Sequence, residues 1–256
     1  MRAMILAAGL GTRLRPLTDS RPKALVEIAG RTLLEITFER LRGFGVDEVI
    51  VNVHHFADMV AGYLQSKRNF GMRVEISREE ILLDTGGGLK KAAWFFLDDP
   101  KRMDEPFILH NVDVLSDIDL QRMLNFHVTQ KALATLAVKE RETSRYLLFD
   151  AQNQLCGRRS KPDLKSELVR PVETPQAVAF SGIHVISPRL LPMIQEEGVF
   201  SIINSYLNLA ALGKPIIAFH SNEYYWRDLG RPEHLKQAEM DLKVENPSRR
   251  NMANPF

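Results

Sequence analysis

Short apolar runs alternate along the first half of the chain with segments whose apolar residues recur every three or four positions. The runs are typical of buried strands, and the three-to-four spacing is typical of helices that cover a sheet. The predicted strands are residues 2–7, 48–53, 73–77, 106–110 and 132–138. The predicted helices are residues 32–43, 56–65, 87–97 and 119–129. This succession predicts an α/β fold with a doubly wound, mostly parallel, Rossmann-like sheet and helices on both faces.

The pattern changes after residue 140. Residues 146–149 and 154–156 flank a polar turn and predict a β-hairpin insertion, and the basic, polar segment 157–173 then indicates either a flap over the ligand crevice or a solvated loop. A strand (177–186), a helix (200–212), a strand (215–219) and a closing helix (232–244) follow. We expect one domain over residues 1–245, and a flexible tail over residues 246–256.

Composition and charge exclude several classes of protein. With 45% hydrophobic residues in 256, the chain can form a sizeable core, and a net charge of +2 gives no general field for nucleic acid or an anionic membrane. The single cysteine, Cys156, excludes an internal disulfide framework, and no charged leader or membrane-length apolar run is present. We therefore expect a cytoplasmic protein that binds neither nucleic acid nor membrane. The oligomeric state stays open.

A glycine-rich turn follows the first predicted strand. Small residues at positions 7–9 and 11 leave backbone N–H groups uncovered for phosphate oxygens, and Arg13, Arg15 and Lys23 supply countercharge. A Rossmann fingerprint fails here, because Leu14 stands where the third glycine is needed. A Walker A loop fails too, because its lysine would have to follow the glycines directly. The segment nevertheless indicates a site for a nucleotide polyphosphate.

One aspartate is a candidate for a metal site, and a second aspartate stands just before the closing helix. Asp113 follows the apolar run at residues 107–109, which places it at the carboxyl end of a central strand, and Asp228 lies just before a helix that Pro232 can open. If the strand before Asp113 neighbours the first strand, Asp113 faces the glycine loop, where a hard carboxylate suits Mg²⁺. The alternative is that each aspartate only caps a turn. The histidines at positions 54, 55, 110, 127, 184 and 220 lack metal-ligand spacing and are interpreted as structural.

The run Leu-Ala-Ala-Gly-Leu-Gly-Thr-Arg-Leu-Arg-Pro-Leu-Thr, followed by Pro22 and Lys23, resembles the signature of the sugar-1-phosphate nucleotidylyltransferases at every fixed position. The similarity continues through Phe180-Ser181-Gly182 to Trp226-Arg227-Asp228-Leu229-Gly230 and so covers about the first 240 residues. Within the family the chain looks most like short bacterial enzymes that act on N-acetylmuramate 1-phosphate or a related sugar 1-phosphate. The resemblance implies the nucleotide-diphospho-sugar transferase fold, with a nucleotide half to about residue 140 and a sugar-phosphate half after it.

The resemblance also implies a site. Arg13, Lys23 and Asp113 would be catalytic, and Asp113 and Asp228 would hold Mg²⁺. Gly182, Asp228 and Glu173 would bind the sugar phosphate, with Lys161 as a further candidate, although the segments around Lys161 and Glu173 do not match the family pattern cleanly. The residues that would bind the nucleotide are Leu6, Ala7, Ala8, Gly9, Gly11, Thr12, Arg13, Lys23, Thr85, Gly86 and Asn111.

The implied reaction is transfer of a nucleotide monophosphate from a nucleoside triphosphate to a sugar 1-phosphate, with UTP and N-acetylmuramate or another hexose 1-phosphate as the expected substrates. The alternatives are a GTP-dependent mannose- or heptose-1-phosphate guanylyltransferase and a phosphocholine cytidylyltransferase, for which the aromatic residues Tyr224, Tyr225 and Trp226 could bind a quaternary ammonium group. A non-catalytic regulatory homologue is disfavoured, because Arg13 and both aspartates are present.

Overall fold

The computed structural model describes residues 1–161 and 165–243. The strands are β1 (Arg2–Leu6), β2 (Glu27–Ile28), β3 (Arg31–Thr32), β4 (Glu48–Val53), β5 (Arg73–Arg78), β6 (Phe107–Asn111), β7 (Val114–Ser116), β8 (Ala134–Lys139), β9 (Arg145–Phe149), β10 (Leu155–Ser160), β11 (Lys165–Leu168), β12 (Gln176–Ile186), β13 (Ile216–His220) and β14 (Trp226–Asp228). The α-helices are α1 (Leu33–Gly43), α2 (Ala57–Ser66), α3 (Asp84–Lys91), α4 (Trp94–Leu97), α5 (Leu120–Thr129), α6 (Ile202–Ala211) and α7 (Pro232–Lys243). The predicted tail, residues 246–256, lies outside the described residues.

The chain divides into two compact units. Among the described residues, the first contains Met1–Asp84, Leu109–Ile118 and residues 224–243, and the second contains Thr85–Ile108 and residues 119–161 and 165–223. The predicted single domain, with halves that meet near residue 140, stays a prediction. Over the described residues, no helix has both the length and the apolar character needed to cross a lipid bilayer.

The first unit is built on parallel strands. Strand β1 lies between β6 and β4, and β5 follows at the edge, with β1–β4 and β4–β5 both parallel. The central residues of the two apolar runs, such as Met4 and Ile50, are fully buried, as a sheet covered on both faces requires. The prediction that the strand before Asp113 neighbours the first strand is confirmed. A small antiparallel ladder of β7 and β14 completes the unit.

The second unit contains mostly antiparallel strands. Their order is β11, β10, β9, β12, β8 and β13, and of these pairs only β8 and β13 are parallel. The predicted α/β class and the hairpin of β9 and β10 are confirmed. The antiparallel part is larger than that hairpin, because the eleven-residue strand β12 pairs antiparallel with both β8 and β9. Apolar runs identify such strands but do not determine their direction.

The basic segment after the hairpin contains regular structure where a flap or loop is expected. Strand β10 continues to Ser160, and β11 pairs with it antiparallel. All four residues of β11 are exposed, so this strand lacks the apolar alternation that identifies strands in a sequence. Gly157 has a specific role in the pairing, since a Cβ there would lie 2.3 Å from the carbonyl oxygen of Glu167.

The helix predicted over residues 87–97 is wrong in two respects. Helix α3 begins at Asp84, so the glycines at 86–88 lie inside it, and a turn at Ala92 and Ala93 separates α3 from α4. At that turn the Ala93 N–H donates to the carbonyl of Lys90, three residues back, which interrupts the regular i to i−4 ladder. Apolar spacing continues through such a turn and does not reveal it.

The start of α3 packs tightly against the segment before α6, and this predicts opposite effects of two glycine substitutions. A Cβ on Gly86 would lie 2.3 Å from the Phe200 ring and 2.9 Å from the Ile202 nitrogen, whereas a Cβ on Gly62 in α2 would meet nothing within 4 Å. We expect Gly86→Ala to lower the free energy of unfolding by about 1–3 kcal/mol through overpacking. We expect Gly62→Ala to raise it by up to about 1 kcal/mol, because alanine favours helix. Thermal and urea unfolding measure both, and a Gly86→Ala protein as stable as wild type would contradict the packing argument.

Candidate functional site

The predicted glycine loop leaves the end of β1 in the first unit. Ala7 and Ala8 are buried, while Gly9 is exposed, with no atom within 4 Å of the place where its Cβ would be. Gly11 has φ +65°, and a Cβ there would lie 2.9 Å from the Thr18 methyl group and 3.0 Å from the Lys23 Cβ. Glycine is therefore required at position 11 for the left-handed backbone and for the close approach of Lys23. The space at Gly9 is open to a ligand.

Lys23 and Asp113 form an ion pair beside this loop. The Lys23 ammonium donates to Asp113 Oδ2, and only 11% of the lysine side chain and 17% of the aspartate side chain are exposed. Lys23 starts a single 3₁₀ turn, Lys23–Leu25, and Asp113 follows β6, whose neighbour Val112 donates its N–H to the Leu6 carbonyl at 3.1 Å. The structure thus brings together the predicted lysine and aspartate at the carboxyl ends of β1 and β6.

Asp228 lies next to Asp113 along the β7–β14 ladder. Asp228 is opposite Val114 in the register, and the Leu229 N–H donates to the Asp113 carbonyl at 2.8 Å. The Asp228 Oδ1 atom accepts the Gly230 N–H at 2.9 Å, which fixes the carboxylate at the end of its strand. The two aspartates, which were predicted from separate motifs, therefore lie on neighbouring backbone segments, and Asp113 directly precedes the residue that pairs with Asp228.

Two contacts of this cluster were not predicted from the sequence. A Cβ on Gly230 would lie 2.6 Å from Arg13 Nη2, so the Arg13 guanidinium rests against the bare backbone of Gly230. His234 Nδ1 lies 2.8 Å from the Asp228 carbonyl, to which it must donate, and 3.7 Å from Asp228 Oδ1. The sequence contains a signal for each contact, because Gly230 stands in the second family motif and His234 falls in the first turn of the predicted closing helix.

Arg13 is exposed beyond this contact. Over residues 1–161 and 165–243, no hydrogen bond or ion pair of its guanidinium is found. An arginine held on a glycine surface, with its donors facing solvent, suits a multiply charged anion, because guanidinium binds phosphate through a fork of N–H groups.

The carboxylates of Asp113 and Asp228 fit the Mg²⁺ that the sequence predicts. Mg²⁺ is usually held by one or two carboxylates, with phosphate oxygens and water as its other ligands. Lys23 takes one oxygen of Asp113, and each aspartate has a second. In the described part of the chain no cluster of three or more His, Cys, Asp or Glu side chains has a metal-binding arrangement. A metal at these aspartates would therefore need oxygens from a bound phosphate.

Of the remaining predicted residues, Thr12 lies in the first unit at the start of a 3₁₀ turn and Asn111 lies there at the end of β6, and the others lie in the second unit. The Thr85 hydroxyl accepts the Ile202 N–H at 3.1 Å, and the amides of Gly86 and Gly87 donate to the Phe200 carbonyl. These contacts give Gly86 a packing role, and its contact with a nucleobase stays a prediction. Gly182 has φ +76° at the shift in register between β12 and β8, and Glu173 is exposed just before β12, as is Lys161 after β10. Their roles toward a sugar also stay predictions.

Several titratable groups are poorly suited to acid–base or nucleophilic chemistry. Burial lowers the pKa of His110 to about 3 and that of His127 to about 4, so both imidazoles are neutral near pH 7. Cys156 is buried, donates its thiol to the Leu148 carbonyl at 3.2 Å and has a pKa raised by burial. A reactive thiolate is therefore disfavoured at this position.

Three curated proteins that are similar to this chain have three different activities. The chain is 32% identical to the N-acetylmuramate alpha-1-phosphate uridylyltransferase of Caulobacter vibrioides, over 94% of this chain and 96% of that protein. It is 29% identical to the UTP–glucose-1-phosphate uridylyltransferase of Synechocystis and 29% identical to the mannose-1-phosphate guanylyltransferase catalytic subunit beta of Dictyostelium discoideum. The chain spans 62% of the length of each of the last two relatives.

Solved structures share the fold. A UDP-glucose pyrophosphorylase complexed with UDP-glucose gives a TM-score of 0.77 at 17% identity, over 96% of this chain and 99% of that chain. HddC from Yersinia pseudotuberculosis complexed with GMP-PN gives a TM-score of 0.71 at 22% identity, over 94% of this chain and 99% of that chain.

Residues 2–245 match the model of the nucleotidyl transferase family. This match takes in the glycine loop, Lys23, Asp113 and Asp228, the residues that the structure places together in the first unit. The chain therefore belongs to the nucleotidyl transferase family.

Proposed function

We propose that this protein transfers a nucleotide monophosphate from a nucleoside triphosphate to a sugar 1-phosphate, releasing pyrophosphate and forming a nucleoside diphosphate sugar. The observation that carries the proposal is the arrangement of Lys23, Asp113, Asp228 and Arg13 around the glycine loop. It combines backbone donors, two cations and two carboxylates, which are the groups that bind and neutralise polyphosphate.

The proposed chemistry needs no general base. The attacking oxygen belongs to a phosphate monoester, which is already ionised near neutral pH, so the protein has only to align two phosphates and reduce their repulsion. This agrees with a site made of Lys, Arg and Asp, and with the neutral, buried state of His110 nearby in sequence.

The roles of the residues follow from their surroundings. Lys23, buried and paired to Asp113, would stabilise charge on the α-phosphate or the sugar phosphate, and exposed Arg13 would bind the β- and γ-phosphates and the leaving pyrophosphate. Asp113 and Asp228 would hold Mg²⁺, which when bound neutralises phosphate charge. His234 and Gly230 would keep Asp228 and Arg13 in place.

For the substrates we propose UTP and an N-acetylated or otherwise bulky hexose 1-phosphate. The support is the Caulobacter relative, which matches the chain over nearly its whole length, and the uridylyltransferase activity of the Synechocystis relative. A guanylyltransferase acting on mannose or heptose 1-phosphate is the second candidate, because the Dictyostelium relative is similar at 29% identity.

One feature disfavours the phosphocholine alternative. The Tyr225 hydroxyl donates to Asp241 at 2.6 Å, and the Arg227 guanidinium carbon lies 5.9 Å from the centre of its ring. Burial, followed by the hydrogen bond to Asp241, raises the pKa of Tyr225 to about 12. Because this ring already has a cation beside it, it is a poor member of a cage for a quaternary ammonium group.

The substrate proposal predicts the outcome of a substrate matrix. Purified protein is assayed with UTP, GTP, dTTP and CTP against N-acetylmuramate, glucose and mannose 1-phosphates and phosphocholine, with pyrophosphate release as the readout. We expect kcat/KM for UTP to exceed that for GTP by at least about tenfold, which corresponds to about 1.4 kcal/mol in transition-state binding. A preference for GTP with mannose 1-phosphate would overturn the substrates but keep the reaction, and no pyrophosphate release with any pair would overturn the reaction.

Asp113 is predicted to be essential to turnover but not to folding. Asparagine can still accept a hydrogen bond from Lys23, but it is a weak ligand for Mg²⁺ and leaves the buried lysine without its counter-charge. Asp113→Asn should therefore lower kcat by at least about 10² in a protein that still folds, with a lower melting temperature than wild type. Asp228→Asn should behave similarly. The matched control is Asp119→Asn, since Asp119 caps α5 through the Arg122 N–H and asparagine caps equally well. Wild-type turnover of Asp113→Asn at saturating Mg²⁺ would remove Asp113 from the metal site.

Gly230 offers a way to displace Arg13 without removing it. An alanine methyl group at position 230 would lie 2.6 Å from Arg13 Nη2 and 2.9 Å from Asp228 Oδ1, so the Arg13 guanidinium must swing away and the Asp228 carboxylate must shift slightly, and Gly230→Ala should still fold. We expect Gly230→Ala and Arg13→Ala each to lower kcat and kcat/KM by at least about tenfold, because the cation facing the leaving pyrophosphate is removed in Arg13→Ala and is displaced, together with Asp228, in Gly230→Ala. Gly43→Ala, where a Cβ meets nothing within 4 Å, should leave the rate unchanged. A rise in KM at constant kcat would show that Arg13 only binds the nucleotide.

A further inference from the structure

We propose that Asn52 and Glu79 are positioning residues that join the glycine loop to the backbone just before Asp84 and thereby set the shape of the glycine loop, to which the proposed function assigns the nucleotide. This inference rests on the proposed function. Neither residue belongs to the glycine-loop signature or to the two aspartate motifs, and both lie in the first unit at the ends of strands β4 and β5.

The two side chains form a continuous hydrogen-bonded chain. The Ala7 N–H donates to Asn52 Oδ1 at 2.8 Å, and Asn52 Nδ2 donates to Glu79 Oε1 at 2.7 Å. The other carboxylate oxygen, Glu79 Oε2, accepts the Leu83 N–H at 3.0 Å. Both ends of the chain are therefore backbone amides, one at the start of the glycine loop and one directly before Asp84, the first residue of α3.

Burial makes this chain expensive to break. Only 2% of Asn52 and 4% of Glu79 is exposed, and a buried amide or carboxylate that loses its partner pays its full cost of desolvation. The orientation of the Asn52 amide is also fixed, because its oxygen must meet the Ala7 donor and its nitrogen must meet the Glu79 acceptor. The pair thus holds two backbone segments in one relative position.

The backbone of Glu79 is itself anchored to the end of β4. Its N–H donates to the Val53 carbonyl at 2.8 Å, and its carbonyl lies 2.9 Å from His54 Nδ1, which donates to it. Glu79 is therefore a fixed point from which the carboxylate reaches Asn52 and Leu83. A small shift of this side chain would move the amide of Ala7, one of the predicted nucleotide contacts.

The geometry allows a reciprocal exchange of the two side-chain types. In Glu79→Gln one amide donor faces either the Asn52 NH₂ group or the Leu83 N–H, and in Asn52→Asp a carboxylate oxygen faces the Glu79 carboxylate. Each single variant loses one link. The double variant Asn52→Asp/Glu79→Gln restores all three links with the same net charge, because Asp accepts from Ala7 and from the Gln amide, whose oxygen accepts from Leu83.

The test measures the nucleotide Kd of these three variants and of wild type by calorimetric titration in the presence of Mg²⁺ and without sugar phosphate. The nucleotide is whichever of UTP, GTP and dTTP wild type binds most tightly. We expect each single variant to raise Kd at least about tenfold and the double variant to return within about threefold of wild type. Hydrogen exchange of peptides covering residues 6–13 and 82–86 should become faster in the single variants and recover in the double variant.

The matched control is Thr37→Val, which removes the buried hydrogen bond from the Thr37 hydroxyl to the Leu33 carbonyl in α1 of the same unit. It should lower the melting temperature without changing Kd.

Single variants that bind with the wild-type Kd, or a folded double variant at least about tenfold weaker than wild type, would overturn the positioning role. If a single variant does not fold, the double variant alone decides. If wild type binds none of the three triphosphates, the proposed function fails and this role fails with it, whereas nucleotide binding with an unaltered Kd in the variants refutes only the role of the pair.

Discussion

The ion pair between Lys23 and Asp113 is the constraint on which the candidate site depends. It joins residues that are 90 positions apart in the sequence and largely removes both charges from water. Such a pair is stable only if both partners stay in place, because either ion left alone in this environment pays a large cost of desolvation. The adjacency of β1 and β6 provides that placement, and the left-handed backbone of Gly11 lets the glycine loop fold onto the lysine.

The charges around this pair explain how the site can serve phosphate chemistry. Lys23 and Arg13 balance Asp113 and Asp228, so the cluster is formally neutral before any substrate binds. A nucleoside triphosphate adds several negative charges, and Mg²⁺ at the two carboxylates would offset part of them while Arg13 and Lys23 offset more. The cluster is thus suited to bringing two anions together, and it contains no group that must take up a proton.

The sequence predicted the parts of this site that depend on short motifs. The glycine loop, Lys23 and Asp113 stand in contiguous patterns, and the position of Asp113 at a strand end follows from the apolar run before it. The contacts that hold these residues depend on long-range packing. No local pattern states which side chains will meet when the contact joins distant parts of the chain. Such contacts are those of Gly230 with Arg13, of His234 with Asp228 and of Asn52 with Glu79.

The same limit explains the errors in the fold. All residues of strand β11 are exposed, so its sequence has no alternation of apolar and polar residues from which a strand could be predicted. Its pairing with β10 depends on Gly157. Helix α3 begins with residues that look like a loop, because Gly86 is required by its contact with Phe200 and not by a turn. The pattern of apolar residues therefore failed to predict the elements whose residues are determined by packing or exposure and not by periodicity.

In the proposed reaction an already ionised sugar phosphate attacks the α-phosphorus of the nucleotide directly, with no covalent intermediate on the protein. The most direct measurement is the stereochemistry at phosphorus, with one isomer of the α-thio analogue of the preferred triphosphate as substrate and ³¹P NMR of the nucleoside diphosphate sugar formed. A single in-line displacement predicts inversion of configuration at the α-phosphorus. Retention would require two displacements through a nucleotidylated side chain, and it would contradict this account of the site.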